Sequence, residues 1–265
     1  DQQHSPEDDI AFIEHVAEYM RDPRYLRVDG KPILVVYRPG ILPNADESAN
    51  RWRQWLRKSG IGEIHLAYVQ SFESPHPSTI GFDAAIEFPP NLSSVPIIEP
   101  PALLNQAYEG TVCDWHSMAS EFQSRQHDDD SDIYRCVNPS WDNEARRPGK
   151  GRTFLGSSPR SFSKWLTTCI KTPLQGKRRQ HHVFINAWNE WAEGAAIEPD
   201  AAFGYAWLEA VRSAMNKADG HPPSAPKRKP ITAVIHAWYP DVLSEILTAL
   251  AKCDIEWRII VTTSI

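Results

Sequence analysis

The chain has 265 residues, 41% hydrophobic and 23% charged, with 28 basic side chains against 34 acidic ones and a net charge of -6. This composition is that of an ordinary globular protein able to bury a core, so wholesale disorder is excluded, and nucleic-acid binding through bulk positive potential is disfavoured. No apolar run approaches the ~20 residues that cross a bilayer, and the acidic start DQQHSPEDD is unlike a signal peptide.

Ser5-Pro6 supplies an N-cap and a proline at the first helical position, and Ile10, Ile13, Val16, Ala17 and Met20 recur on one face, which predicts a helix. After the turn VDGKP, Ile33 to Tyr37 is a short β-branched run of the kind that is buried on both sides in a parallel sheet. Ala45 to Ser59 carries Trp52, Trp55 and Leu56 at helical spacing, which marks them as packing residues, and stops at Gly60; Ile64 to Val69 is the next strand. Ala84 to Phe88 gives a third strand, Trp115 to Phe122 a helix, and Tyr134 to Asn138 a fourth strand. Ser158-Pro159 opens a helix through Trp165, Leu166 and Ile170, Val183 to Trp188 is a fifth strand, and a last helix is predicted from about Ala201 to Ala218.

Strands alternating with helices predict a parallel α/β protein, but five strands cannot close an eight-strand barrel. A barrel of ~250 residues spends roughly 30 on each strand and helix, so three missing units correspond to roughly 90 residues. The expected fold is therefore a partial (β/α)8 TIM-type barrel over residues 1–218 that holds the later strands, with the first three upstream of Asp1. Residues 219–230 (DGHPPSAPKRKP) form a proline-rich linker, and residues 231–265 form a truncated βαβ start of a second domain. There Ile231 to Ala237 and Trp257 to Thr262 are predicted strands around a helix from Asp241 to Lys252.

The chemistry concentrates in HVFINAWNEWAEGAAIEPD, residues 182 to 200, where a buried strand feeds a polar, aromatic loop at the end of the sheet that carries active sites in such barrels. Glu190 and Glu193 are the candidate catalytic pair, because cleaving an acetal takes one group to protonate the departing oxygen and another to act as base or nucleophile. Asn186 and Asn189 suit sugar hydroxyls, and Trp188 and Trp191 offer flat apolar faces to a sugar ring. On a bare strand two side chains three apart point to opposite faces, so the pair converges only if the chain turns at or just after Glu190, with Gly194 permitting the turn. The competing reading is a solvated acidic patch.

NAWNEWAEGAAIEPD, together with DPRYLRVDGKPILVVYRPG, GFDAAIEFPP and NPSWDNEARR in that order, resembles the glycoside hydrolase family 99-like domain, the WbsX family of polysaccharide-biosynthesis proteins, over about residues 10 to 218. The resemblance implies a (β/α)8 barrel of which these pieces are the later strands. It is similar to the EWHEG motif of endo-acting α-mannosidases, which work with overall retention. That similarity implies that Glu190 deprotonates the sugar 2-hydroxyl and that Glu193 is acid and then base. The sequence departs from the motif at Ala192, Ala195 and Ala196, which bears on substrate identity more than on the carboxylate chemistry. The tail ITAVIHAWYPDVLSEILTAL resembles the opening of rhamnan synthesis protein F domains. The implied setting is bacterial surface polysaccharide or lipopolysaccharide O-antigen biosynthesis. The chain is then cytoplasmic, at most peripheral to the inner membrane, with an oligosaccharide or polysaccharide as substrate and other polysaccharide-assembly enzymes as partners.

Further substrate-binding candidates sit at the other strand ends: Tyr37 and Arg38, Gln70, Glu87, then Trp141, Asp142 and Asn143, with Glu198 beyond the motif. Arg38 and Glu87 equally suit ion pairs between strand ends. His236 and Tyr239 close the strand of the tail, as a ligand site or as a stacked pair. The four cysteines (Cys113, Cys136, Cys169, Cys253) have no CxxC spacing and read as reduced thiols. His127 to Asp132 lacks the glycine of a calcium loop, His181-His182 lacks a third partner at metal spacing, and Gly149 to Gly151 lacks the spacing of a phosphate loop. No metal or cofactor is expected. A glycosyltransferase using an activated sugar donor and a non-catalytic glycan-binding module are the two alternatives.

Overall fold

The structure, a computed structural model, describes residues 4–100, 103, 105–126, 132–172, 182–218, 231–236, 244, 247–248 and 257–262. The acidic run 127–131, His181, the linker 219–230, Tyr239, Cys253 and most of the helix expected over 241–252 lie outside the described residues. Contacts divide the chain into two units, Asp1–Ala218 and Asp219–Ile265. In the second, Ile231–His236 and Trp257–Thr262 pair as parallel strands.

The first unit opens with α1 (Pro6–Met20), fixed by a capping box in which Ser5 and Asp8 bond each other's backbone N–H. A short β1 (Arg27–Val28) pairs antiparallel with β2 (Lys31–Val36). Next come α2 (Ala45–Lys58), capped by Asn44, then β3 (His65–Val69) and β4 (Ala84–Ile86). After β5 (Thr111–Asp114), α3 (Trp115–Ser124) begins on an Asp114 cap. β6 (Ile133–Tyr134) and β7 (Cys136–Val137) follow as two halves of one extended segment. Then come β8 (Trp141–Asp142), β9 (Arg152–Leu155), α4 (Pro159–Lys171), β10 (Phe184–Ile185), β11 (Asn189–Glu190), β12 (Ala195–Ala196) and α5 (Ala206–Ala218).

The parallel layer runs β2, β3, β4, β6 with β7, then β10, and these are the five strands expected from the apolar runs. The layer is a curled half-barrel in a mixed α/β unit. The described residues do not close an eight-strand barrel. The last helix starts at Ala206 rather than Ala201, because Asp200 and Gly204 bond each other's backbone and turn the chain first. A second small sheet, order β5, β9, β8, was not anticipated.

Alternation along the strands sorts side chains to two faces. Leu34, Leu66, Tyr68 and Ala85 face outward and pack with Ile13, Ala17 and Met20 of α1 and Trp52 and Leu56 of α2. Val137 and Ile185 face a second outer cluster built from α3, α4 and α5, where Trp165 and Trp207 are buried as packing residues. The inward face carries Ile33, Ala67, Ala84, Ile86, Tyr134, Cys136 and Phe184. Each fully buried large side chain contributes about 1.5–3 kcal/mol, so these clusters hold the layer in shape. Asp9 of α1 is a buried charge beside them: it accepts from Ser48 (2.9 Å) and Arg51 (2.7 Å) of α2 and lies 2.8 Å from the His4 ring.

The strand ends are tied into a rim. Ser71 Oγ donates to the Tyr37 hydroxyl, Asn91 donates to the Ser71 carbonyl, Asn186 Nδ2 donates to the Pro89 carbonyl, and Asn138 Nδ2 donates to the Asn186 carbonyl. Loops leaving the β7 and β10 ends of this rim build the site.

Candidate active site

Three residues after Asn186 the chain enters a tight hairpin: Asn189 pairs with Ala196 and Glu190 with Ala195. A 3-10 turn over Trp191–Glu193 closes it, and Gly194 ends the turn with φ 60, where its N–H donates to the Trp191 carbonyl (3.1 Å). The chain thus turns directly after Glu190, as convergence of the two acids requires. Ala195 is fully buried in the outer core with Ile197, so the small residues after Gly194 anchor the hairpin.

The hairpin leans on the loop after β7. Ser140 Oγ donates to the Gly194 carbonyl, and a Cβ at position 194 would lie 2.9 Å from the Asp142 backbone nitrogen, so only glycine fits this approach. From Asn143 to Gly151 that loop is stiffened by its own side chains. The Glu144 carboxylate accepts from the Gly149 and Gly151 N–H groups, and the Asn143 amide oxygen accepts from the Arg152 N–H (2.6 Å).

The loop presents Arg146 to both acids. One guanidinium nitrogen, Nη2, lies 3.0 Å from Glu190 Oε1, and the other, Nη1, lies 3.2 Å from Glu193 Oε1. Two carboxyls held on one guanidinium cannot be more than roughly 10 Å apart, a bound that admits both the roughly 5–5.5 Å of retaining and the roughly 6.5–9.5 Å of inverting carboxyl pairs. Their surroundings differ. The Glu193 side chain is 21% exposed and that of Glu190 37%. Burial pushes the Glu193 carboxyl above the ordinary glutamate value; Arg146 opposes this, and the like charge of Glu190 adds to it. The pair therefore sets a more buried carboxyl of raised proton affinity beside a more open one, both fixed by one cation. That arrangement suits acid–base work on a bond placed between them.

The sequence profile described as Glycosyltransferase WbsX matches residues 1–211. The chain belongs to the WbsX glycosyltransferase family. Two relatives, each named "Uncharacterized protein WxcX" and from two strains of Xanthomonas campestris pv. campestris, are 52% identical over 272 residues. The match covers 100% of this chain and 38% of each relative, so the chain spans well under half the length of the curated relatives it matches. A solved structure titled "Glycoside hydrolase-like protein" superposes with a TM-score of 0.53 at 16% identity, covering 78% of this chain and 60% of that one, a likeness of fold.

Within this WbsX-family chain, the other expected site residues fall into three groups. Beside the acids, Trp188 and Trp191 are each half exposed, and Trp191 Nε1 donates to Glu198 Oε2 (2.8 Å), which fixes its ring on the turn between the two glutamates. Asn189 is exposed on the hairpin, and Asp142 packs against Gly194. A second group is engaged within the fold. Trp141 is buried in the outer core; Asn143 stiffens its loop; Asn186 ties the rim; Glu87 is 1% exposed, with Arg135 at 3.3 Å. The third group lies just past the ends of β2 and β3, across the layer from β10. Tyr37 is half exposed, the Arg38 guanidinium sits 4.6 Å over the Phe72 ring, and Gln70 is buried at the rim. Arg146 was not foreseen. Two acids in one aromatic loop call for a counter-charge, but NPSWDNEARR offers both Arg146 and Arg147, and nothing local marks which one bridges. Among the described residues, no group of three or more His, Cys, Asp or Glu side chains is placed to hold a metal ion, and no helix is long and apolar enough to cross a membrane.

Proposed function

We propose that this chain carries a carbohydrate-active site of polysaccharide biosynthesis that breaks or exchanges a glycosidic bond with retention, with Glu193 as acid and base and Glu190 as its partner. The observation that carries this reading is the shared Arg146 contact, with the more buried acid being the one whose proton affinity is raised. Glu193 gives its proton to the departing glycosidic oxygen. Glu190 takes the proton of the sugar 2-hydroxyl as that oxygen bonds the anomeric carbon. Glu193, now a carboxylate, takes a proton from the incoming hydroxyl as that oxygen attacks the anomeric carbon; the bond to the 2-oxygen breaks, Glu190 returns its proton to that oxygen, and the starting configuration is restored. Trp191, oriented by Glu198, offers the sugar a flat apolar face.

The family description favours transfer over hydrolysis, and the incoming hydroxyl is then that of an acceptor sugar rather than water. In this reading the parallel layer is the later part of a (β/α)8 barrel completed by a longer polypeptide. Residues 231–265 begin a second, rhamnan synthesis F-like domain, and the protein works on the cytoplasmic side.

The test incubates the chain and its Glu190→Gln and Glu193→Gln variants with α-linked oligosaccharides, with and without nucleotide-sugars, and reads products by mass spectrometry. Each variant should lose about 10²- to 10⁴-fold in turnover while keeping its fold. Acceptor-dependent nucleotide release supports transfer from an activated donor. A Glu193→Gln chain as active as the wild type discards the assignment.

A further inference from the structure

Arg146 occupies the space between the two acids, which is also where the reading above puts the sugar. Its contacts are of a kind that can be given up. The Arg146 side chain is half exposed, and both ion pairs are solvent-facing, so each holds weakly. The loop that carries it is pinned elsewhere. Asn143, Glu144, Gly149, Gly151 and Arg152 hold the loop's path by backbone contacts, and the Arg146 N–H bonds the Asn143 carbonyl (3.0 Å). The guanidinium can therefore swing away without the loop unfolding. While it stays, it favours the ionised form of Glu193, and an acid catalyst needs the opposite.

We propose that Arg146 is a displaceable counter-cation for the Glu190 and Glu193 pair, giving up its place between the two carboxylates to the sugar ring on which positive charge develops as the glycosidic bond breaks. This rests on the carboxylate assignment above. Arg146 is then a positioning residue that keeps the acids together in the empty site and competes with ligand cations. Once it leaves, burial and the like charge of Glu190 act on Glu193 unopposed, so its proton affinity rises further as the sugar takes the space.

The probe is a six-membered iminosugar, 1-deoxymannojirimycin, whose ring nitrogen is protonated at neutral pH and stands in for that charge. Its binding is measured by titration calorimetry on the whole chain, for wild type, Arg146→Ala, Arg146→Lys, Glu190→Gln and Glu193→Gln. Arg146→Ala should bind about threefold to tenfold more tightly than wild type, the strength of two weak ion pairs. Arg146→Lys should return towards wild type, and both glutamate variants should bind far more weakly. Iminosugar binding to Arg146→Ala that is equal, weaker or absent overturns the counter-cation role. If the glutamate variants still lose binding in that case, the carboxylate assignment survives. If Glu190→Gln and Glu193→Gln bind as well as wild type, the assignment fails and the role of Arg146 fails with it. Circular dichroism of Arg146→Ala should match wild type, since the residue is at the surface.

Discussion

Gly194→Ala tests the hairpin that brings the acids together. Gly194 sits at φ 60, where an alanine costs about 1–2 kcal/mol. Its Cβ would also meet Asp142 at 2.9 Å from the backbone nitrogen and 3.1 Å from Cβ. Asp142 cannot retreat cheaply because β8 is paired to β9, Asp142 opposite Thr153. Such overpacking costs about 1–3 kcal/mol, giving about 2–5 kcal/mol in all. Gly204→Ala is the control, since Gly204 has φ 55 and nothing within 4 Å of the added Cβ, so only the conformational cost applies. With a urea slope of about 3 kcal/mol per molar for a unit of this size, Gly194→Ala should lower the unfolding midpoint by roughly 1 M and Gly204→Ala by a little under half of that. Tryptophan fluorescence in urea reads both. Equal losses in the two variants would refute the close packing of the hairpin on Asp142.

Asp9→Asn should destabilise the first unit by about 2–4 kcal/mol, because it leaves Arg51 and Ser48 without the carboxylate they bond. Burial alone would raise the Asp9 carboxyl, but bonds from His4, Arg51 and Ser48 hold it below the usual aspartate value. Its contribution is therefore present above the unfolded value of ~3.9 and lost as pH falls through the lower folded value, so acid unfolding of Asp9→Asn should show a shallower dependence there. Cys113, Cys136 and Cys169 are buried, and burial pushes the Cys136 thiol well up and that of Cys169 to about 12. Iodoacetamide at pH 8 should leave all three unmodified in the folded chain and label them in denaturant, as read by peptide mass spectrometry.

The parallel layer was legible because strands covered on both faces read as continuous apolar runs; Leu66, Ala67, Tyr68 and Val69 are all buried. Helix starts at Ser5, Asn44 and Ser158 carry polar caps in the chain itself. The small sheet was not legible, since TVCD and RTFL are short, half-polar segments that become strands only by finding each other. Trp141 is a substrate-binding candidate in the sequence because it follows the fourth strand. As a strand residue, though, it alternates inward while Asp142 stays exposed, so the ring went to the core. The acid pair could be named from spacing and a glycine. Arg146 could not, because its partners lie 44 and 47 positions along the chain, and nothing local distinguishes a bridging arginine from a solvated one.

The most direct test is a carbon-13 NMR titration of the Glu193 side-chain carboxyl in the wild-type chain and in Glu190→Gln. Two acids sharing one guanidinium must feel each other. Glu193 should titrate above the ordinary glutamate value of ~4.3 and move down when the like charge at 190 is removed. A Glu193 that titrates normally and ignores the change at 190 would mean that the two acids do not share a site.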